Sequence, residues 1–105
     1  MMVLMARPER LGDEAIADAL SALQGWEYRE GSLCRDFAFG DFVEAFAFMT
    51  QVAMEAEKHN HHPDWENVYS RVRVRLNTHD VGGVTSLDVD LARAMDGFFS
   101  RYARG

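Results

Sequence analysis

The sequence has one cysteine, Cys34, among its 105 residues, so no disulfide bond can form within the chain. A lone thiol fits a reducing compartment. No apolar run approaches the length of a membrane-spanning helix. The apolar start, Met1 to Ala6, is too short for a signal peptide and has no positive charge before it. We therefore predict a cytoplasmic protein with no membrane partner.

An excess of basic residues is also missing. The 11 Lys and Arg residues face 17 Asp and Glu residues, and the net charge is -6. Binding to nucleic acid or to an anionic membrane needs clustered positive charge. The one basic row, Arg71, Arg73 and Arg75, alternates along a predicted strand, as charges on an exposed sheet face commonly do. We predict no nucleic-acid partner.

Internal linkers, low-complexity segments and strong repeats are absent as well. The length fits one domain, and a composition with 48% hydrophobic and 27% charged residues is typical of globular proteins. We predict a single domain over residues 1–105, in which residues 1–9 form a poorly ordered tail.

Helical and strand periodicities alternate along the chain. Asp13 can cap a first helix that ends near Gly25. Residues 26–29 and 33–39 predict a hairpin, residues 67–69 and 72–78 predict two more strands, and a last helix begins near Thr85. The order α-β-β-α-β-β-α predicts an α+β two-layer sandwich, in which a four-stranded antiparallel sheet carries the helices on one face.

The middle helix has the clearest pattern. Asp41 and Glu44 form a capping-box pattern, and the helix is predicted from Phe42 to about Glu57. Its apolar residues Phe42, Phe46, Met49, Ala53 and Ala56 recur at helical spacing, so we expect this stripe to face the core. We interpret the Met and Phe residues from Phe42 to Met54 as core rather than as a cofactor site.

The histidines are the strongest sign of chemistry. Three of the four, His59, His61 and His62, fall within four residues, and the fourth is His79. The first group leaves a helix just before Pro63, and His79 closes a predicted strand. In a two-layer fold both points can lie at the same rim of the sheet. We therefore expect two or three imidazoles around one small pocket.

Histidine suits acid/base catalysis because its unperturbed pKa is about 6.5. One ring can protonate a departing hydroxyl while another takes a proton from the adjacent atom, which is what an elimination of water requires. Glu57 and Asp88 are candidates to orient a ring or to stabilise its charged form. Trp65 is a candidate aromatic wall for a flat ligand.

The same residues carry a family resemblance that runs from about Leu11 to about Tyr102. The chain resembles the pterin-4a-carbinolamine dehydratases in Gly25-Trp26, Phe46-Ala47-Phe48-Met49-Thr50, Glu57-x-x-x-His61-His62-Pro63-x-Trp65, Asn67-Val68-Tyr69, Thr78-His79-Asp80 and Asp88-x-Asp90-Leu91-Ala92. The resemblance implies dehydration of 4a-hydroxytetrahydropterin to quinonoid dihydropterin, in tetrahydrobiopterin recycling for aromatic amino acid hydroxylases. It implies no metal and no prosthetic group, because the pterin is the substrate.

The resemblance also implies roles for particular residues. It gives acid/base roles to His61, His62 and His79, and substrate contacts to these three and to Asn60, Asn77, Thr78 and Asp80. Asn60, Asn77 and Asp80 depart from the Asp, Ser and Glu that are usual in the family's animal members. All three stay polar, so we expect the pocket to survive. The family fold further implies a homodimer or homotetramer, in which pairing between subunits covers the sheet edges.

Several alternatives stay open at this point. His59 lies outside the matched pattern, and we interpret it as an ordinary surface or core residue with no functional role. Trp65 can simply pack beside Pro63, Glu57 can be the solvated end of a helix, and Asp88 can be a first-turn acid favoured by the helix dipole.

Two other functions also remain in view. The histidines and a carboxylate could ligate zinc, although no cysteine or second carboxylate is well placed. The same fold could also serve as a binding or assembly module with weak catalysis or none.

Overall fold

The computed structural model describes residues 8–102. Most of the predicted N-terminal tail, residues 1–7, lies outside the described residues. The elements are α1 (Asp13–Ser21), β1 (Glu27–Arg29), β2 (Ser32–Ala38), α2 (Phe42–Lys58), β3 (Asp64–Val68), β4 (Arg71–Leu76), a 3₁₀ turn (His79–Val81) and α3 (Ser86–Phe99). This order confirms the predicted succession of helices and strand pairs.

The four strands form one antiparallel sheet in the order β1-β2-β4-β3. Along β4 the valines and Leu76 are buried and the three arginines are exposed, as the alternation predicts. The buried row packs with Phe37 of β2, and the core is completed by residues such as Phe48 of α2 and Met95 of α3. The helices therefore cover one face of the sheet, and the arginine row lies on the open face.

The predicted core face of α2 is only partly correct, because Ala56 is buried and Met49 packs against the core, but the other predicted residues are exposed. The buried residues are Ala45, Phe48, Val52 and Ala56, whereas Phe42 and Phe46 are 47% and 55% exposed. Ala53 is also exposed, Met49 is half-buried, and Met54 is 64% exposed. α2 is apolar on more than one side, so its periodicity alone does not choose which side meets the sheet.

The helix starts differ in how they are capped. The N-cap of α1 is Gly12 without a side-chain bond, so Asp13 lies in the first turn instead of capping it. At α2 the Asp41 carboxylate accepts from the Glu44 N–H at 2.8 Å, but Glu44 accepts from the N–H of Gly40 and not from that of Asp41. The capping box predicted at α2 is therefore only half formed. No helix in residues 8–102 is long and apolar enough to cross a membrane.

Candidate active site

The end of α2 directs the two adjacent histidines in different directions. The His61 N–H donates to the carbonyl of Ala56 at 3.0 Å, and the Asn60 N–H donates to the carbonyl of Glu57 at 3.2 Å. These two bonds form a Schellman motif, and Asn60 has the left-handed φ of 50° that the motif needs after its cap. Beyond this sharp turn His61 is buried and His62 is exposed.

His61 lies beneath the end of α2 and contacts α3. Its Nε2 is 2.5 Å from Oδ1 of Asp88, a residue 27 positions further along the chain. The two side chains are 7% and 0% exposed. A carboxylate buried this completely needs hydrogen-bond donors around both of its oxygens.

The second oxygen of Asp88 meets that need. Its Oδ2 accepts from the Thr78 hydroxyl at 2.8 Å and from the Thr85 N–H at 2.9 Å. Thr85 is the N-cap of α3 and completes a capping box with Asp88. The sequence predicted a helix that begins near Thr85, but it gave no sign that Thr78 would share the carboxylate.

This bonding pattern assigns the proton on the buried ring. As a carboxylate, Asp88 can only accept a hydrogen bond, so with Asp88 in this form Nε2 of His61 is the donor. In neutral His61 the lone pair is then on Nδ1, the nitrogen available to accept a proton. Any positive charge that develops on the ring lies beside the carboxylate.

His62 and Glu57 form an exposed pair next to this buried one. His62 Nε2 is 2.9 Å from Glu57 Oε1, and the side chains are 56% and 81% exposed. Exposed pairs of this kind contribute about 0–1 kcal/mol to stability, so Glu57 constrains the ring only weakly. Glu57 is therefore a solvent-exposed helix end that also contacts His62.

His79 opens the 3₁₀ turn and is exposed, directly after buried Thr78. The Thr78 N–H donates to the carbonyl of Gly83 at 2.7 Å, which closes the loop that carries His79. Through Thr78 this second stretch reaches the same carboxylate that bonds His61. The structure thus brings His61 of the first stretch and Thr78 of the second together at Asp88.

The remaining candidates lie close by in sequence but have different surroundings. Asn77 is half-buried and donates to the Ser32 hydroxyl at 2.8 Å. Asp80 is exposed in the 3₁₀ turn. Trp65 is half-buried, pairs with Val74 on the helix-facing side of the sheet and packs against the core. Trp65 therefore has a packing role that needs no ligand.

A cleft of about 230 Å³ opens beside His61, between the end of α2 and the start of α3. Its lining residues are Glu55, His59, His61, Leu87, Asp90 and Leu91. His59 Nε2 is 2.8 Å from Glu55 Oε2, so this histidine is paired although it lies outside the motif. Sequence reasoning missed Glu55, Leu87 and Asp90. Asp90 belongs to the family motif quoted for the last helix, whereas Glu55 and Leu87 show only a four-residue spacing with His59 and Leu91.

A larger depression of about 510 Å³ lies on the open face of the sheet. It is lined mainly by charged residues such as Arg73 and Arg75, which pair with Asp36 and Asp64 at 3.4 and 3.2 Å. None of its lining residues is a histidine. The volume of a depression alone therefore does not identify the reactive site. We place the candidate site at the smaller cleft beside His61.

Metal binding finds little support in the donor geometry. Within residues 8–102, no group of three or more His, Cys, Asp or Glu side chains is arranged to hold a metal ion. His61 and His62 each face a carboxylate, but the two pairs are separate, one buried and one exposed.

Comparison with known proteins gives a consistent result. Residues 9–98 match the sequence profile of the family described as Pterin 4 alpha carbinolamine dehydratase. A Bradyrhizobium sp. (strain BTAi1 / ATCC BAA-1182) protein, provisionally named pterin-4-alpha-carbinolamine dehydratase, is 59% identical over 90 residues, which are 84% of this chain and 91% of that protein. A Prochlorococcus marinus (strain MIT 9515) protein with the same provisional name is 46% identical over 95 residues, covering 90% of this chain and 99% of the relative.

Solved structures show the same fold. The Brucella melitensis crystal structure of a transcriptional coactivator/pterin dehydratase has a TM-score of 0.84 and 46% identity, covering 86% of this chain and 98% of that one. A pterin dehydratase-like protein identified as a RuBisCO assembly factor in the alpha-carboxysome has a TM-score of 0.58 and 21% identity, covering 70% of this chain and 86% of that one. At 21% identity the second likeness concerns the fold alone.

Proposed function

Because the chain belongs to the pterin 4 alpha carbinolamine dehydratase family, we propose that it dehydrates 4a-hydroxytetrahydropterin to quinonoid dihydropterin by histidine acid/base catalysis. One observation carries the proposal: Asp88 bonds His61 and also Thr78, the neighbour of His79. This carboxylate joins two stretches that are distant in sequence, which supports the proposal that an imidazole from each stretch acts on one substrate.

In the proposed reaction His61 is the base. Its Nδ1 takes the proton from the ring nitrogen next to C4a, and Asp88 stabilises the imidazolium that forms. An exposed imidazole, His79 or His62, protonates the 4a-hydroxyl, and the C4a–O bond breaks to release water. The electron pair left on nitrogen forms the new C=N bond. Asn77, Thr78 and Asp80 border the substrate, and Glu57 and Trp65 support the site.

The proposed activity is tested with freshly prepared 4a-hydroxytetrahydropterin, by following its ultraviolet spectrum with and without the protein. We expect the protein to accelerate loss of the carbinolamine beyond the spontaneous rate. No acceleration would favour the alternative that the chain is a binding or assembly module on the same fold.

Single replacement of His61 or His79 by Ala should lower kcat roughly 10²-fold, because a positioned acid or base typically contributes 10²–10⁴-fold. His59→Ala is the matched control, and its kcat should exceed those of the other two variants by about tenfold or more. Steady-state kinetics and circular dichroism of the three variants provide the test. Wild-type rates for both His61→Ala and His79→Ala would contradict the acid/base assignment.

We further propose that the enzyme acts in the cytoplasm, in tetrahydrobiopterin recycling for an aromatic amino acid hydroxylase. It needs no metal, no prosthetic group and no nucleic-acid or membrane partner, since the pterin is the substrate. Elemental analysis of the active protein tests the metal-free mechanism. Stoichiometric zinc or iron whose removal abolishes activity would contradict it.

We also propose that the protein is a homodimer or homotetramer. Large apolar side chains are exposed on α2: Phe42, Val43, Phe46 and Met54 are 47%, 73%, 55% and 64% accessible. Phe42, Val43 and Phe46 lie within five residues at the start of α2. An exposed apolar group of this kind typically marks a contact surface, and a second copy presents the same helix. Phe46→Glu should therefore lower the mass measured by light scattering.

Val68→Glu serves as the comparison for the assembly test, because Val68 is 62% exposed on edge strand β3 and outside α2. We expect Val68→Glu to stay assembled. If only Val68→Glu dissociates, the interface lies at the sheet edge and not on α2. A monomeric wild type would contradict the assembly proposal.

A further inference from the structure

Only three residues other than glycine have positive φ in residues 8–102: Glu30, Asn60 and Tyr69. Glu30 and Tyr69 lie in the two hairpin turns of the sheet, where such conformations are common. Asn60 instead lies in the connection between α2 and β3, directly before the paired histidines. Its backbone conformation therefore sets the direction in which the chain leaves α2.

This turn determines where His61 points. If residue 60 were helical, α2 would continue, and each further residue would rotate about 100° around its axis. The left-handed turn instead returns the His61 N–H to Ala56 and lets its imidazole reach Asp88. The next residue, His62, faces outward and meets Glu57 on the last turn of the same helix. One backbone conformation thus separates a buried imidazole from an exposed one.

We propose that Asn60 is a positioning residue that acts through its left-handed backbone conformation, which aims His61 at Asp88. Its side chain is then not the feature on which pterin binding depends. Asparagine, aspartate and glycine accept this conformation readily, whereas alanine and especially valine do so at a cost. The inference rests on the proposed dehydratase activity for its kinetic test, but its structural part does not.

The kinetic test compares Asn60→Gly with Asn60→Val, and adds Asn60→Asp and Asn60→Ala. Glycine removes the side chain but keeps the turn, so kcat should stay within about threefold of wild type. Valine opposes the turn, and displacement of His61 by about 1 Å is expected to lower kcat roughly 10²-fold with little change in KM. Aspartate should behave like the wild type and alanine should fall between. If KM instead rises by a similar factor in Asn60→Gly and Asn60→Val, the side chain binds the substrate and the proposal is overturned.

A second measurement is independent of catalysis. The ¹⁵N chemical shifts of the His61 ring report which nitrogen is protonated and whether Nε2 is bonded to Asp88. We expect wild-type shifts in Asn60→Gly and altered shifts in Asn60→Val, or in Asn60→Ala if the valine variant does not fold. Altered shifts in Asn60→Gly would overturn the proposal.

Glu30→Gly is the matched control, because it changes a left-handed residue in the β1–β2 turn and should leave both the kinetics and the His61 shifts unchanged. If the wild type proves inactive while the shift series behaves as expected, the proposed function fails and the positioning role of Asn60 stands.

Discussion

Replacing Asp88 by Asn is expected to lower kcat by roughly 10²–10⁴-fold while leaving the protein folded. The amide oxygen must face the Thr85 N–H, which can only donate, and this turns the amide NH₂ toward His61. His61 Nε2 then becomes an acceptor and its hydrogen moves to Nδ1. The nitrogen that we propose as the base is thereby blocked, although the ring stays in place.

The companion variant Asp88→Ala measures how much the buried hydrogen bonds of Asp88 contribute to the stability of the fold. Alanine leaves His61, Thr78 and the Thr85 N–H without their buried acceptor and removes the capping box of α3. We expect the free energy of unfolding to fall by about 3 kcal/mol, against about 1 kcal/mol or less for Asp88→Asn. Urea denaturation measures both values. The surface control is Asp36→Asn, whose salt bridge with Arg73 is exposed and contributes about 0–1 kcal/mol.

Two results would count against this account of Asp88. Full activity in Asp88→Asn would show that the protonation of His61 does not matter for the reaction. Equal stability of Asp88→Ala and the wild type would show that the buried bonds contribute nothing net.

The buried face was predicted well from the sequence for elements that have a single apolar side. In β4 every second residue is apolar and every other one is an arginine, so only one arrangement buries the apolar side chains. The start of α3 near Thr85 was also predicted correctly. α2 was harder, because Phe42 and Phe46 are as apolar as the residues that the core selects. Local periodicity cannot distinguish a core-facing side from an exposed apolar side.

The candidate site was likewise predicted only in part from the sequence. The chemical types were evident, because clustered histidines next to carboxylates are unusual. The burial of Asp88 was not evident, because a first-turn acid has the same local pattern whether it faces solvent or the core. Its bonds to His61 and Thr78 join residues 27 and 10 positions away. Such distances are fixed by the packing of α3 on the sheet, and short-range sequence patterns carry no information about them.

The second large effect is expected at the other end of α3. Asp96 Oδ1 accepts from Trp26 Nε1 and from Arg35, each at 2.7 Å. The Arg35 and Asp96 side chains are only 17% and 26% exposed, and the Arg35 guanidinium lies over the ring of Phe37 at 4.4 Å. Asp96→Ala leaves the buried indole N–H without an acceptor and the shielded guanidinium without its counter-charge.

We expect Asp96→Ala to lower the free energy of unfolding by about 2–4 kcal/mol. In a domain of this size each kcal/mol corresponds to roughly 4–8 °C in Tm. Combining it with Arg35→Met should cost less than the sum of the two single changes, with a coupling of about 1 kcal/mol or more, because the double variant leaves no unpaired charge. Asp36 with Arg73 is the exposed comparison pair and should couple by less than about 1 kcal/mol.

Replacing the acid of the Arg35–Asp96 pair should not affect activity, whereas replacing the acid of the His61–Asp88 pair should. Asp96 is eight residues from Asp88, which is about 12 Å along the axis of α3. Well below its Tm, Asp96→Ala should therefore retain the wild-type kcat, whereas Asp88→Asn should lose activity without comparable destabilisation. A strong loss of kcat in folded Asp96→Ala would mean that the two ends of α3 are coupled. The proposed division between a catalytic end and a stabilising end of this helix would then be wrong.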